Sequence, residues 1–239
     1  MLDNKTTEEH FSRKATEEAS KHNSNKFNKI IKLLKPQGTI LECGAGTGFY
    51  TKEFLKRGYT VTAIDLSKQA LKINKAQALN KQLTTHAINF IDFKTTEKYD
   101  QIIFIKVFHH FDTLTNIYKA LDHARKLLKN NGKIIIFEPN GKNILWKPIL
   151  SLRKDKDKNK WFYEQNMKYT TKQNFHKYFK KHNLNYNLKY HYIIPSTLLN
   201  KLPFLNKLNN YLEKIIPKWA FNFSLTYSPQ EHKPQQNTS

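Results

Sequence analysis

Three glycines fall within five residues, at Gly44, Gly46 and Gly48, directly after a short apolar run that ends in Glu42 and Cys43. Asp65 stands seventeen residues beyond Gly48, Asp92 follows further on, and a histidine pair, His109 and His110, lies next. Glycines at this density let a ligand approach the backbone closely, because no Cβ stands in the way. Acids beside such a loop suit a ligand that offers hydroxyl or amino hydrogens, or that carries positive charge. A histidine titrates near neutrality and can remove a proton from an acceptor.

The loop follows an apolar stretch at 39–43 and opens a helical stretch at 49–57, so it joins a strand to a helix N-terminus. Three ligands compete for that geometry. A P-loop ends in Gly-Lys-Ser/Thr, and here Gly48 is followed by Phe49 and Tyr50, so that reading fails. A dinucleotide fingerprint places its third glycine where this sequence has Phe49, which weakens that reading. The third ligand is S-adenosylmethionine, which has no phosphate. For it, Glu42 is an acid beside a cation, Asp65 can accept from both ribose hydroxyls, and Asp92 can accept from the adenine amino group.

These residues carry a resemblance. ILECGAGTG (40–48) followed by AIDLS (63–67), NFIDF (89–93), VFHHF (107–111) and LLKNNGK (127–133) is similar to the class I S-adenosylmethionine-dependent methyltransferases. The match covers roughly residues 38–140, and its first two motifs are specific in combination. The resemblance implies a Rossmann-like, doubly wound α/β fold. Its seven-stranded sheet is mostly parallel, with an antiparallel C-terminal hairpin and helices on both faces. It also implies S-adenosylmethionine as cofactor, held by Glu42, Gly44, Ala45, Gly46, Gly48, Asp65, Leu66, Asp92, Phe93 and Lys106. His109 and His110 become the candidate catalytic residues. No metal site is expected: Asp155 and Asp157 sit in a lysine-rich run that reads as solvated surface.

The elements that must position these residues are legible by pattern. Strands are expected at 39–43, 60–64, 87–91, 101–107 and 133–137, with helices at 49–57, 68–79 and 114–128 between them. Ser67 is a plausible N-cap for the second of these helices. The stretch QIIFIKV (101–107) is apolar throughout, as a parallel strand covered on both faces should be. Alternation of this kind argues for a parallel sheet. Further on, a helix is expected at 171–182, strands at 185–194 and 221–227, and an amphipathic stretch at 196–218 that Pro203 interrupts early. The chain therefore divides into an N-terminal helical segment at 1–37 acting as a lid, and a cofactor-binding core at 38–140. A C-terminal part of the same domain follows at 141–228, with helical insertions, and then a disordered tail at 229–239.

Composition bounds the rest. The chain has 239 residues and one cysteine, Cys43, which excludes an internal disulfide and any multi-cysteine metal site. Cys43 itself reads as a small buried strand residue. The N-terminus is charged and lacks an apolar signal core, so a cytoplasmic protein is expected. The formal net charge of +22 invites an RNA methyltransferase as the alternative, but only four of the basic residues are arginines, the residue that phosphate and base contacts favour. Residues 1–140 carry +9 and residues 141–239 carry +13, so the excess lies downstream of the glycine loop. The position after the fourth strand reads KVFH (106–109) rather than Asn/Asp-Pro-Pro-Tyr/Phe, which argues against amino-group methylation of bases. What remains is a small-molecule or lipid-linked acceptor, methylated at oxygen. Leu198, Leu202, Leu205, Leu208, Leu212, Ile215 and Trp219 recur at helical spacing, with lysines on other faces. This stretch is either a cover over the acceptor pocket or an interfacial helix on an anionic membrane surface, helped by the apolar segment at 144–152, the basic run and Trp161-Phe162-Tyr163. A cofactor- or partner-binding protein without catalysis on the same fold is the remaining alternative.

Overall fold

A computed structural model describes residues 24–77, 82–143 and 166–229. The helix expected before residue 20, the apolar segment at 144–152, the basic run, the Trp161-Phe162-Tyr163 cluster and most of the tail lie outside the described residues. The chain enters as α1 (Ser24–Ile31), then alternates β1 (Thr39–Cys43), α2 (Phe49–Leu55), β2 (Thr60–Asp65), α3 (Lys68–Gln77), β3 (Leu83–Ala87), β4 (Tyr99–Ile105), α4 (Leu114–Leu127) and β5 (Leu128–Pro139). It continues through α5 (Lys172–Lys181), β6 (Asn187–His191), α6 (Ser196–Lys201), α7 (Leu205–Ile215) and β7 (Asn222–Tyr227). The seven strands form one sheet in the order β3-β2-β1-β4-β5-β7-β6. Five strands run parallel, and β7 pairs antiparallel with both β5 and β6. This is the doubly wound, Rossmann-like sheet with an antiparallel hairpin that the motifs imply.

Period-two alternation in the central strands explains why both sheet faces are covered. In β4, Ile102 and Phe104 enter one core, while Ile103 and Ile105 enter the other. In β5, Ile134 and Ile136 divide from Ile135 and Phe137 in the same way. Helix α4 supplies Ile117, Ala120, Leu121 and Ala124 to the first face, joined by Phe175 and Phe179 of α5. Phe27 and Ile30 of α1, Phe54 of α2, Leu71 of α3 and Leu199 of α6 fill the second. The helices start where hydroxyl caps allow. Ser67 Oγ accepts from Ala70 N at 3.0 Å, Thr113 Oγ1 from Asn116 N at 3.2 Å, and Thr171 Oγ1 from Asn174 N at 3.2 Å.

One expected element is corrected. The third strand is Leu83–Ala87, not 87–91. The apolar residues that suggested the later position belong to a 3₁₀ turn, Phe90–Asp92, where the Asn89 side chain accepts from Ile91 N at 3.0 Å. The amphipathic stretch breaks at Pro203 as expected, into α6 and α7, and a 3₁₀ turn, Pro217–Trp219, follows.

Candidate functional site

The carboxyl edge of the sheet gathers the ends of β1, β2, β4 and β5. The glycine loop leaves β1 with Gly44, Gly46 and Gly48 all left-handed, at φ 70, 55 and 89°. Each glycine has its own reason. A Cβ on Gly44 would lie 2.6 Å from Val107 Cγ2, and one on Gly48 would lie 2.2 Å from Asn74 Oδ1. A Cβ on Gly46 meets nothing within 4 Å, so this residue faces open space. Gly44 and Gly48 therefore permit packing inside the protein, and Gly46 presents the bare surface that a ligand can approach.

Four N–H groups of the loop have partners inside the protein. Gly44 N and Ala45 N both donate to Ile64 O, at 2.7 and 3.0 Å. Gly46 N donates to Asp65 Oδ2 at 2.8 Å, and Gly48 N to Ala45 O at 3.1 Å. Four donors that a phosphate cradle would need are thus spent within the protein. A ligand without phosphate, met by carboxylates and bare backbone, matches this donor set.

Asp65 ends β2 and Leu66, half-buried, follows it. Its carboxylate accepts from Gly46 N and from Ser67 N, the latter at 2.9 Å, which leaves further lone pairs for a diol. Burial raises its pKa, opposed by the N–H bonds from Ser67, Gly46 and Leu66. Glu42 lies deeper. Thr51 Oγ1 of α2 donates to Glu42 Oε2 at 2.5 Å, and Asn74 Nδ2 of α3 donates to Thr51 Oγ1 at 2.9 Å. This relay ties β1 to both helices. Burial pushes the Glu42 carboxyl up to about 8; the Thr51 bond opposes the shift and the charge of Asp65 adds to it. Asp92 is exposed on the 3₁₀ turn, five residues past the end of β3. It and the buried Phe93 line a cavity of about 510 Å³ beside Ala87 and Ile88. Lys106 is exposed, and it leaves β4 in a left-handed conformation at φ 57° with its N–H on Phe137 O at 2.8 Å. That turn seats Val107 under Gly44. Cys43 is buried in β1.

The histidines sit on a 3₁₀ turn, Phe108–His110, with ring centroids 3.9 Å apart. His109 is 8% exposed, and its Nδ1 meets Glu138 Oε2 at 2.8 Å. Glu138, the last residue but one of β5, has no exposed surface, and its Oε1 accepts from Val107 N at 2.6 Å and Phe108 N at 2.8 Å. In the neutral imidazole, facing an acceptor oxygen puts the hydrogen on Nδ1 and the lone pair on Nε2. Both Glu138 oxygens are engaged with the 107–109 loop, and Asn140 is buried with Nδ2 on Ala220 O at 3.0 Å. Sequence reasoning missed the Glu138–His109 pair; an acid closing a strand next to a histidine turn was its only signal. Among the described residues, no three His, Cys, Asp or Glu side chains group as a metal site requires.

The glycines carry a contrast that can be measured. Gly48→Ala is expected to cost about 2 kcal/mol or more of stability, from left-handed strain and the collision with Asn74. Gly46→Ala should cost about 1 kcal/mol of strain only, yet lower cofactor affinity, because the new Cβ fills the open face. Denaturant titration and calorimetry separate the two effects. Unchanged affinity in Gly46→Ala would place the ligand elsewhere.

Comparison with known proteins agrees with this geometry. The methyltransferase-domain family matches residues 41–134. An uncharacterised methyltransferase of Alkaliphilus oremlandii is 30% identical over 124 residues, 52% of this chain and 56% of that protein. One of Bacillus cereus is 33% identical over 102 residues, 42% of this chain and 47% of that protein. The chain spans about half the length of these relatives. Among solved structures, the plantazolicin methyltransferase BpumL, in complex with a triazolic desmethyl analogue and S-adenosylhomocysteine, has a TM-score of 0.57 at 18% identity, covering 93% of this chain and 86% of that one. The N-methyltransferase NodS of Bradyrhizobium japonicum, also with S-adenosylhomocysteine, has a TM-score of 0.52 at 17% identity, covering 62% and 78%. The fold is Rossmann-like, and residues 41–134 of it are similar to methyltransferase domains. The methyltransferase-domain match spans the core from β1 to β5, and the solved structures share the fold.

Proposed function

We propose that this protein transfers a methyl group from S-adenosylmethionine to a small-molecule or lipid-linked acceptor at oxygen. The observation that carries the reading is the glycine loop, with four N–H groups spent internally, Gly46 bare, and Asp65 and Glu42 beside it. When bound, the cofactor supplies an electrophilic methyl group on a sulfonium. Asp65 would accept from its ribose hydroxyls, Asp92 and Phe93 would bound its adenine, and Glu42 would offset its positive charge. Leu66, Lys106 and the loop from Gly44 to Gly48 would close the remaining sides.

The chemistry left to the protein is orientation, exclusion of water and, for a hydroxyl acceptor, removal of a proton. Neutral His109, with Nδ1 on Glu138, has its lone pair on Nε2 and is assigned the base; the His110 ring lies tilted beside it and is assigned to shape the acceptor space. Helix α1 lies over the start of α2 through Phe27, whose ring is 6.0 Å from Phe49 and 6.2 Å from Tyr50. It is assigned part of the lid formed by residues 1–37. A cytoplasmic, membrane-peripheral location goes with a lipid-linked acceptor. No helix among the described residues is long and apolar enough to cross a membrane.

The test is incubation of the protein with radiolabelled S-adenosylmethionine and fractionated cell extract. Label in a small-molecule or lipid fraction, lost in Asp65→Ala, supports the reading. Label in RNA, with binding that falls steeply with salt, would select the nucleic-acid alternative. Binding without label in any fraction would select a non-catalytic protein.

Glu42 gives this reading a pH signature. Its folded pKa of about 8 lies above the ordinary 4.5, so the folded protein holds a proton that the unfolded chain has released. Stability from this group is therefore full below pH 4.5 and falls as the pH rises toward 8. A bound sulfonium favours the carboxylate, so cofactor binding near pH 7 should release about one proton. Calorimetry in buffers of different ionisation enthalpy measures the release, and Glu42→Gln should abolish it. Binding without proton release would remove Glu42 from the neighbourhood of the cation.

A further inference from the structure

Helix α7 turns two polar side chains inward beside Leu205, which packs on the second core, and leaves large apolar ones outward. Its inward side carries Asn209, 1% exposed, and Glu213. Asn209 Oδ1 accepts from Ile194 N at 3.0 Å. Glu213 Oε1 accepts from Tyr192 N at 2.7 Å and from Asn209 Nδ2 at 2.8 Å, while Oε2 pairs with Lys29 Nζ of α1 at 3.0 Å. Its outward side carries Leu208 at 48%, Tyr211 at 62% and Ile215 at 56% exposed. Phe204 at 72% and Trp219 at 48% extend this face at either end, and Leu198 and Leu202 of the α6 segment add to it. Every large apolar side chain exposed among the described residues falls between 198 and 219. A helix that needed only to pack on its domain would turn these residues inward. Here specific polar bonds hold the apolar side outward.

The charge around the patch selects its partner. Lys201, Lys207, Lys214 and Lys218 are all exposed among these residues, and Glu213, the acid of the stretch, is turned inward. Two copies meeting through this face would bring eight lysines together, since a two-fold interface apposes like with like. An anionic lipid surface instead takes the apolar side chains into its acyl boundary and meets the ammonium groups with its headgroups. Tyr211 and Trp219 suit the level between them.

The face also sits at a telling edge. Asn222, which opens β7, pairs with Pro139 at the end of β5 and with His191 at the end of β6. The insertion carrying α6 and α7 therefore leaves and rejoins the sheet at its carboxyl edge, the edge of the glycine loop, His109 and Glu138. Asn143 Nδ2 ties it there by donating to Trp219 O at 2.7 Å. We infer that the α6–α7 face docks the protein on an anionic lipid surface, with the acceptor edge of the sheet turned toward it. The inference deepens the lipid-linked reading of the acceptor but concerns the surface itself. Docking without methyl transfer would leave it standing, and transfer without docking would overturn it alone.

Flotation of the full chain with phosphatidylcholine vesicles, with and without phosphatidylglycerol, tests it. Expected is binding that requires the anionic lipid and weakens as salt rises. The triple change Leu208→Ser, Tyr211→Ser, Ile215→Ser should weaken it by about tenfold or more with an unchanged unfolding midpoint, because these side chains are exposed. Replacing Lys201, Lys207, Lys214 and Lys218 by Gln should do the same and remove the lipid preference. No binding to anionic vesicles overturns the inference. So does a dimer in sedimentation velocity that the triple change dissociates, which assigns the face to a second copy. A large drop in unfolding midpoint in the triple variant overturns it too, by showing that another segment of this chain covers the face.

Discussion

Asp65→Ala is expected to lower affinity for S-adenosylhomocysteine by roughly two to four orders of magnitude. Two hydrogen bonds from ribose hydroxyls to one carboxylate, at about 1.5–3 kcal/mol each, account for that range. The same carboxylate also holds Gly46 N at 2.8 Å and Ser67 N at 2.9 Å, so its removal frees the loop that faces the ligand. Asp65→Asn separates the two contributions. The amide keeps one acceptor oxygen and the side-chain volume, so it should lose less affinity than alanine. Calorimetry reads both variants, and the unfolding midpoint checks that the sheet survives. Affinity equal to that of the parent protein in Asp65→Ala would remove the ribose assignment.

The second large effect concerns the base. With a hydroxyl acceptor, His109→Ala should reduce kcat by about 10²–10⁴-fold while leaving cofactor affinity near its original value. Glu138→Gln is the sharper experiment, because it leaves His109 in place. One amide atom can still accept from Val107 N and Phe108 N, as Glu138 Oε1 does now. The other then presents N–H to His109 Nδ1, where Oε2 now stands at 2.8 Å. Nδ1 must become the acceptor, which puts the hydrogen on Nε2 and removes the base. A kcat loss in Glu138→Gln close to that of His109→Ala, with cofactor affinity retained, is the expected result. Single-turnover transfer of labelled methyl to the fraction that accepts it supplies the rates. Full activity in both variants would mean that the acceptor needs no base, as for an amine already carrying a lone pair.

The two signals used in the sequence differ in how far they reach. Period-two and period-3.6 patterns act through burial, so they were strong wherever an element is covered. β1 appears at the expected residues, and β4, α4 and β7 within about two residues of them, because their alternation is set by two filled cores. β3 was displaced because it is an edge strand. LTTHA offers little apolar pattern, and the apolar residues after it serve a 3₁₀ turn instead. β5 begins earlier than its KIIIF pattern suggests, because Leu128 also pairs across to Tyr99 after the end of α4.

The chain by itself determined the sheet class, through its alternating apolar pattern, and the glycines Gly44, Gly46 and Gly48, because a left-handed loop between strand and helix restricts residue type locally. The tertiary structure decided what each of them touches. It spent the N–H groups of the loop on Ile64, Asp65 and Ala45, and buried Glu42 under Thr51. It joined Glu138 to His109 across 29 positions of sequence, and it turned the apolar side of α7 outward by fastening Asn209 and Glu213 inward. Each of these depends on partners distant in the chain, and periodicity carries no record of which face of an amphipathic helix will meet the core.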